Sequence, residues 1–282
     1  MAAQGKTVET LKMNGGSPLV IDFHTHVFPD PIAARTITFL TESIDNLYTP
    51  VSGGTVTGLL ANMNDWQIDV SVTLPIVTKP SQFVTINQWA QSIASDRIVS
   101  FGGIFPYTDD YKRDIDFVVN LGLKGLKFHA EYQNFVIDAE PMLTLYDYAL
   151  SKGLILVHHA GFDPAFPAPF KSSPQKFMNI ANAMRGGVIV AAHLGGHAQW
   201  DDVETILAGS GIYLDTSMGF SYFSQEQFLR IVKKHGSDKI LFASDAPWSH
   251  AQKEIETIRS LPLPEEDRNA ILGGNAKRIL GL

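Results

Sequence analysis

Eight short apolar runs, spread along the chain with helical stretches between them, constrain the fold more than any other feature of this sequence. They read "PLVIDFH" (18–24), "DVSVTLPIV" (69–77), "IVSFGGIFP" (98–106), "LKGLKFH" (123–129), "LILVHHA" (154–160), "VIVAAHL" (188–194), "GIYLDTS" (211–217) and "KILFASD" (239–245). Several hold continuous apolar stretches, the pattern of parallel strands covered on both faces. Between them lie segments such as "EPMLTLYDYALSKG" and "SQEQFLRIVKKHG", with apolar residues at helical spacing and a terminal glycine. Strands alternating with helices mean an α/β architecture. Eight such units in 282 residues predict a (β/α)8 TIM barrel, closed by a last helix over "EEDRNAILGGNAKRIL". An open doubly wound sheet would carry a glycine-rich phosphate loop after its first strand, and "DFHTHVFPD" stands there instead.

Residues 1–17 are polar and rich in Gly and Ser, and read as a flexible lead to a single domain over 18–282. The lead lacks the apolar core of a signal peptide, and no apolar run reaches the roughly 18 residues of a membrane span. The expectation is a soluble, cytoplasmic protein without a membrane partner. A formal charge of −7 and the absence of a basic run argue against nucleic acid as a partner. A homodimer is compatible with the sequence on the base rate for soluble oligomers alone. The long connection over 30–55 is expected to cover the mouth of a barrel.

The histidines are not scattered. Of nine, seven fall at or just after the carboxyl end of an expected strand: His24, His26, His129, His158, His159, His193 and His197. In a barrel those ends open on one face, where the active site lies, so distant sequence positions converge. His24 and His26 alternate around one residue and so share a face of their strand. Asp245 ends the eighth strand, which neighbours the first when the barrel closes. It could be a plain helix cap, but beside His24 and His26 it suits a metal ligand and base. With no cysteine in the chain, any metal must be held by His, Asp, Glu or a modified Lys. A divalent ion bound by imidazole and carboxylate, with one open position, lowers the pKa of a bound water toward about 7. An adjacent carboxylate can then carry the remaining proton to a leaving group.

Taken together, "IDFHTH", "LLANMNDWQID", "FGGIFP", "GLKGLKFHAEYQNF", "HHAG", "AHLGG", "LFASDAPW" and "GGNAKRIL" resemble the amidohydrolase superfamily of metal-dependent (β/α)8 enzymes. The resemblance is to its amidohydrolase-related branch, which includes aminocarboxymuconate semialdehyde decarboxylase. It implies one divalent ion, Zn2+ first, with Mn2+, Fe2+ or Co2+ also fitting the donor set. It implies metal ligation by His24, His26, His159 and Asp245, with Asp245 also the proton shuttle and His193 acting on water or substrate. The motif "HAG" favours His159 over His158, and adjacent strand residues face opposite ways. Lys127, His129, His158, Phe28 and Trp248 are candidate substrate contacts. Some members of the superfamily carry a carboxylated Lys on the fourth strand, and Lys127 is read here as a substrate-binding or structural residue. The implied activity is hydrolysis of an amide, lactone or similar carbonyl bond in a small molecule through a metal-activated water. The alternative at the same site is non-oxidative decarboxylation of an unsaturated or aromatic acid.

Overall fold

The computed structural model describes residues 18–282, so the lead read over 1–17 lies outside the described residues. Eight parallel strands follow in chain order: Ile21–Thr25, Val70–Thr73, Ile98–Ser100 resuming as Gly102–Gly103, Gly125–Phe128, Ile155–His158, Ile189–Ala191, Tyr213–Asp215 and Ile240–Leu241. Each pairs with its sequence neighbour, and the third strand is interrupted at Phe101, whose N–H donates to the Thr73 carbonyl at 3.0 Å. The ring is completed between the last strand and the first. Phe23 N–H donates to the Phe242 carbonyl at 2.9 Å, and Asp245 N–H to the His24 carbonyl at 2.8 Å. The buried Asp22 carboxylate reinforces this seam by accepting from Ser244 N–H at 2.9 Å and from the Ser244 hydroxyl at 2.5 Å. The chain is a (β/α)8 barrel, as its alternation predicts.

Strand side chains divide by parity. Leu126, Phe128, Leu156, Ala191, Leu214 and Phe242 pack outward against helical residues such as Leu145, Tyr146, Phe177, Phe228 and Ile258. Ile155, Val157, Val190, Leu241 and Ala243 turn the other way and cluster with Phe101. A Cβ on Gly125 would collide with the Phe101 ring and the Ile155 carbonyl oxygen, so glycine is what admits that ring beside the fourth strand.

Two helices stand where sequence reading had none. Asp30–Glu42 occupies the connection expected to be a long loop; Pro31 sits in its first turn, and only Ala33 is buried. Its apolar positions have no packed core behind them, which is why their spacing did not register as a core-facing helix. Ala251–Ser260 follows the eighth strand and buries Ala251, Ile255 and Ile258 at helical spacing. Among the described residues, no helix is long and apolar enough to cross a membrane.

His235 ends the helix Gln225–His235 and accepts from Gly209 N–H through Nδ1 at 3.1 Å. Burial pushes its pKa down to about 4. The unfolded chain takes up this proton below about 6.5, whereas the folded chain resists until lower pH. Its contribution to stability is therefore full above pH 6.5 and is lost as pH falls toward the folded value. His235→Asn should flatten the loss of thermal stability over that window, by up to about 3 kcal/mol. Equal pH slopes of Tm in the two proteins would count against this account.

Candidate metal centre

The first strand delivers His24 and His26 to its carboxyl end, and their rings are held by different acceptors. His24 Nδ1 lies 2.9 Å from Asp215 Oδ2, and His26 Nδ1 lies 2.9 Å from the Leu74 carbonyl oxygen. A carbonyl accepts only, and a carboxylate does likewise, so each Nδ1 carries the hydrogen and each Nε2 presents a lone pair. Those two Nε2 atoms are 3.2 Å apart. Asp245 Oδ1 stands 3.4 Å from the first and 3.2 Å from the second, and it is buried without a hydrogen-bond partner. Three electron-rich atoms thus face one point. They cannot satisfy one another, and a cation placed between them can. Tetrahedral ligands at 2.0–2.1 Å from Zn2+ are separated by about 3.3 Å, so the observed triangle fits such an ion.

Burial first, then the charge of Lys127, holds the His24 imidazole well below its usual pKa, which keeps its lone pair available. Lys127 ends on the same point, with Nζ 2.9 Å from His24 Nε2, and burial pushes its pKa down to about 8. It is the nearest charged rival to a metal ion there, and desolvation weakens its hold.

Asp215 organises the surrounding shell. Besides the His24 ring, its carboxylate accepts from the backbone N–H groups of His193 and Ser217, both at 3.0 Å, and from the Ser217 hydroxyl. The Ser217 hydroxyl also lies 2.8 Å from His193 Nδ1, and His193 Nε2 lies 3.0 Å from His159 Nδ1. The site is backbone-strained as well. His193, Leu194 and Asp245 adopt left-handed conformations with φ of 56°, 53° and 69°, each costing about 1–3 kcal/mol for a residue with a side chain. The bonds from His193 N–H to Asp215 and from Asp245 N–H to the His24 carbonyl hold them there.

His159 and His158 part company as strand parity requires. His159 joins the cavity lining, close to His193. His158 turns outward: its ring stacks on Phe128 at 4.7 Å and meets Tyr146 at 5.0 Å. The substrate contact expected of His158 is thereby corrected, because the helix layer and not the cavity surrounds it. His129 faces the cavity with Nε2 3.2 Å from Asp163 Oδ2. Gly161, at φ +83°, lets the chain after the fifth strand pass against the His197 backbone and brings Asp163 round to this position. His129, His159 and Asp163 form a second set of potential donors. The His129 and His159 rings stack nearly parallel at 4.1 Å, however, so their in-plane lone pairs run side by side and do not converge.

Above these groups opens a cavity of about 730 Å3 that His24, His26, Lys127, His129, His193 and Asp245 line at its floor. Phe28 and Trp248 also line it. Sequence reasoning missed Asp215, Ser217 and Asp163. For Asp215 and Ser217 a signal existed, since "LDTS" ends the seventh strand on the same face as the histidines.

A family model described as Amidohydrolase matches residues 21–282. No curated protein matches the chain. Among solved structures, the manganese-bound 5-carboxyvanillate decarboxylase LigW2 of Novosphingobium aromaticivorans has a TM-score of 0.70 at 13% identity, covering 97% of this chain and 100% of that one. An uncharacterized TIM-barrel protein of Bordetella bronchiseptica gives 0.74 at 17% identity, covering 93% and 98%. A "probable 2-pyrone-4,6-dicarboxylic acid hydrolase" of Acinetobacter baumannii gives 0.63 at 15% identity, covering 93% and 99%. These likenesses establish a shared fold. The family match, running from the first barrel strand to the last residue, establishes more: this chain belongs to the amidohydrolase family of metal-dependent enzymes.

Proposed function

We propose that the chain hydrolyses a carbonyl bond, in an amide, lactone or similar group of a small molecule, with the help of one divalent ion. The observation that carries this reading is the triangle of His24 Nε2, His26 Nε2 and Asp245 Oδ1, with a buried carboxylate oxygen that lacks any partner. His24, His26 and Asp245 would hold the ion. His159, whose Nε2 is buried and unpartnered, is the fourth candidate, although its Nδ1 pairs with His193 in this arrangement. A bound ion supplies Lewis acidity that brings water ionisation into the neutral range. Asp245 takes the proton of the attacking water and returns it to the leaving group. His193, kept neutral by burial and by the neighbouring His159, would donate Nε2–H to the reacting carbonyl oxygen on giving up its contact with His159 Nδ1. Lys127 Nζ places a further positive charge at the cavity floor for the developing oxyanion.

That same ammonium favours a second reading, decarboxylation, because it could seat a substrate carboxylate among apolar walls, where loss of CO2 is favoured by desolvation. The readings separate in one assay of protein loaded with Zn2+ or Mn2+. Hydrolysis should acidify a weakly buffered lactone solution, or release free amine from an amide, without CO2. Release of CO2 from aromatic acids, with lactones and amides left intact, would transfer the assignment to the lyase.

A further inference from the structure

The walls of the cavity differ in chemistry from its floor. Among the described residues that line it there is no arginine and no glutamate, and Lys127, at the floor beside His24, is the one cationic side chain other than the histidines. Asp163, higher on the fifth-strand loop, is paired with His129 and leaves no positive charge to spare. The helix Asp30–Glu42 presents Ile32, Thr36, Phe39 and Leu40 to the cavity, a spacing that keeps them on one helical face. The helix Phe83–Ile93 presents Ile86 and Trp89, again on one face. Ile32 and Phe39 remain 39% and 65% exposed, so this apolar surface is not consumed by the protein's own core. Exposed apolar residues that gather around a cavity, instead of scattering singly, mark a place that binds apolar matter. A cavity of about 730 Å3 lies in the range that encloses a drug-sized ligand.

Resting on the hydrolytic reading above, we infer that the substrate is an uncharged, lipophilic carbonyl compound, an ester, lactone or amide with a sizeable hydrocarbon part. Its carbonyl lies at the point that His24, His26 and Asp245 surround, beside Lys127, and its hydrocarbon part lies on Ile32, Phe39, Leu40, Ile86 and Trp89. With the ion taken up by the carbonyl, a substrate with two or more carboxylates has Lys127 alone to pair with, and its second carboxylate would be buried unpaired at a high desolvation cost. For a lactone the reaction balances simply. Water oxygen bonds to the carbonyl carbon, the ring C–O bond breaks, one water proton passes through Asp245 to the departing alkoxide, and the new carboxyl group releases the other.

The test is a series of γ-lactones with γ-alkyl groups from methyl to hexyl, alongside a lactone bearing two carboxylates, assayed with the full chain loaded with Zn2+ or Mn2+. Each buried methylene is worth up to about fourfold in affinity, so kcat/KM should rise at least about tenfold across the series. The dicarboxylate should be the poorest substrate. Phe39→Asp and Ile86→Asp should each lower kcat/KM for the hexyl lactone far more than for the methyl lactone, with metal content unchanged. A flat series, or preference for the dicarboxylate, overturns the inference while leaving hydrolysis intact. If neither the lactones nor the matching alkyl esters and amides turn over, the hydrolytic reading fails instead, and displacement of the neutral fluorophore N-phenyl-1-naphthylamine decides the substrate class. Displacement by the hexyl lactone and not by the dicarboxylate upholds it; the reverse overturns it.

Discussion

His24→Ala is expected to strip the divalent ion from the protein and to lower kcat/KM by about a thousandfold or more, since metal assistance supplies several kcal/mol and each 1.36 kcal/mol is tenfold in rate. His24 Nε2 is the vertex shared by the contacts to His26, Asp245 and Lys127, and its Nδ1 is the link to Asp215. Elemental analysis and turnover would be measured together on the same preparation. Because His24 is buried, its truncation also leaves a void, so His26→Ala, at the more open ring, serves as the companion: side-chain exposure there is 15%. Asp245→Asn separates holding from proton transfer. The amide keeps an oxygen donor but cannot accept the proton, so metal should largely remain while kcat falls by about 10²–10⁴-fold. Retention of both metal and full turnover in His24→Ala would remove this residue from the centre altogether.

The second large effect is expected at a residue that touches no substrate. Asp215→Ala leaves the His24 ring, the His193 and Ser217 N–H groups and the Ser217 hydroxyl without their shared acceptor. Each buried donor left unpaired costs about 1–3 kcal/mol, so the variant should be markedly less stable. More diagnostic is the metal affinity, which should fall about 10–100-fold as the His24 ring loses its orientation and tautomer. Asp215→Asn, which keeps one carbonyl oxygen but lacks the charge, should lie between the two in chelator competition. An alanine variant that is less stable yet binds metal as tightly as the parent would reduce Asp215 to a structural role.

Much of this was legible beforehand, for reasons that differ from residue to residue. The alternation "LILVHHA" places His158 and His159 on opposite faces by strand geometry alone, and the structure separates them in that way. "IDFHTH" and "LFASDAPW" similarly declare their ends, because a polar group closing an apolar run is a local signal. The helix Asp30–Glu42 was hidden because its apolar side faces a cavity; without buried neighbours it lacks the dense apolar stripe by which helices are recognised. Asp163 was hidden because a loop conformation, set by Gly161, decides where it arrives.

The sequence by itself determined the barrel, the face on which chemistry gathers and the kinds of donor available, since strand period, helix period and residue chemistry are properties of short segments. Only the tertiary structure decided which atoms meet. The bond from His24 to Asp215 spans 191 positions along the chain, and the convergence of His24, His26 and Asp245 depends on the seam between the first and eighth strands. Hydrogen bonds and metal ligation act over about 2–3 Å, a scale set by how the whole ring of strands packs and closes. No local pattern fixes distances that small between segments so far apart.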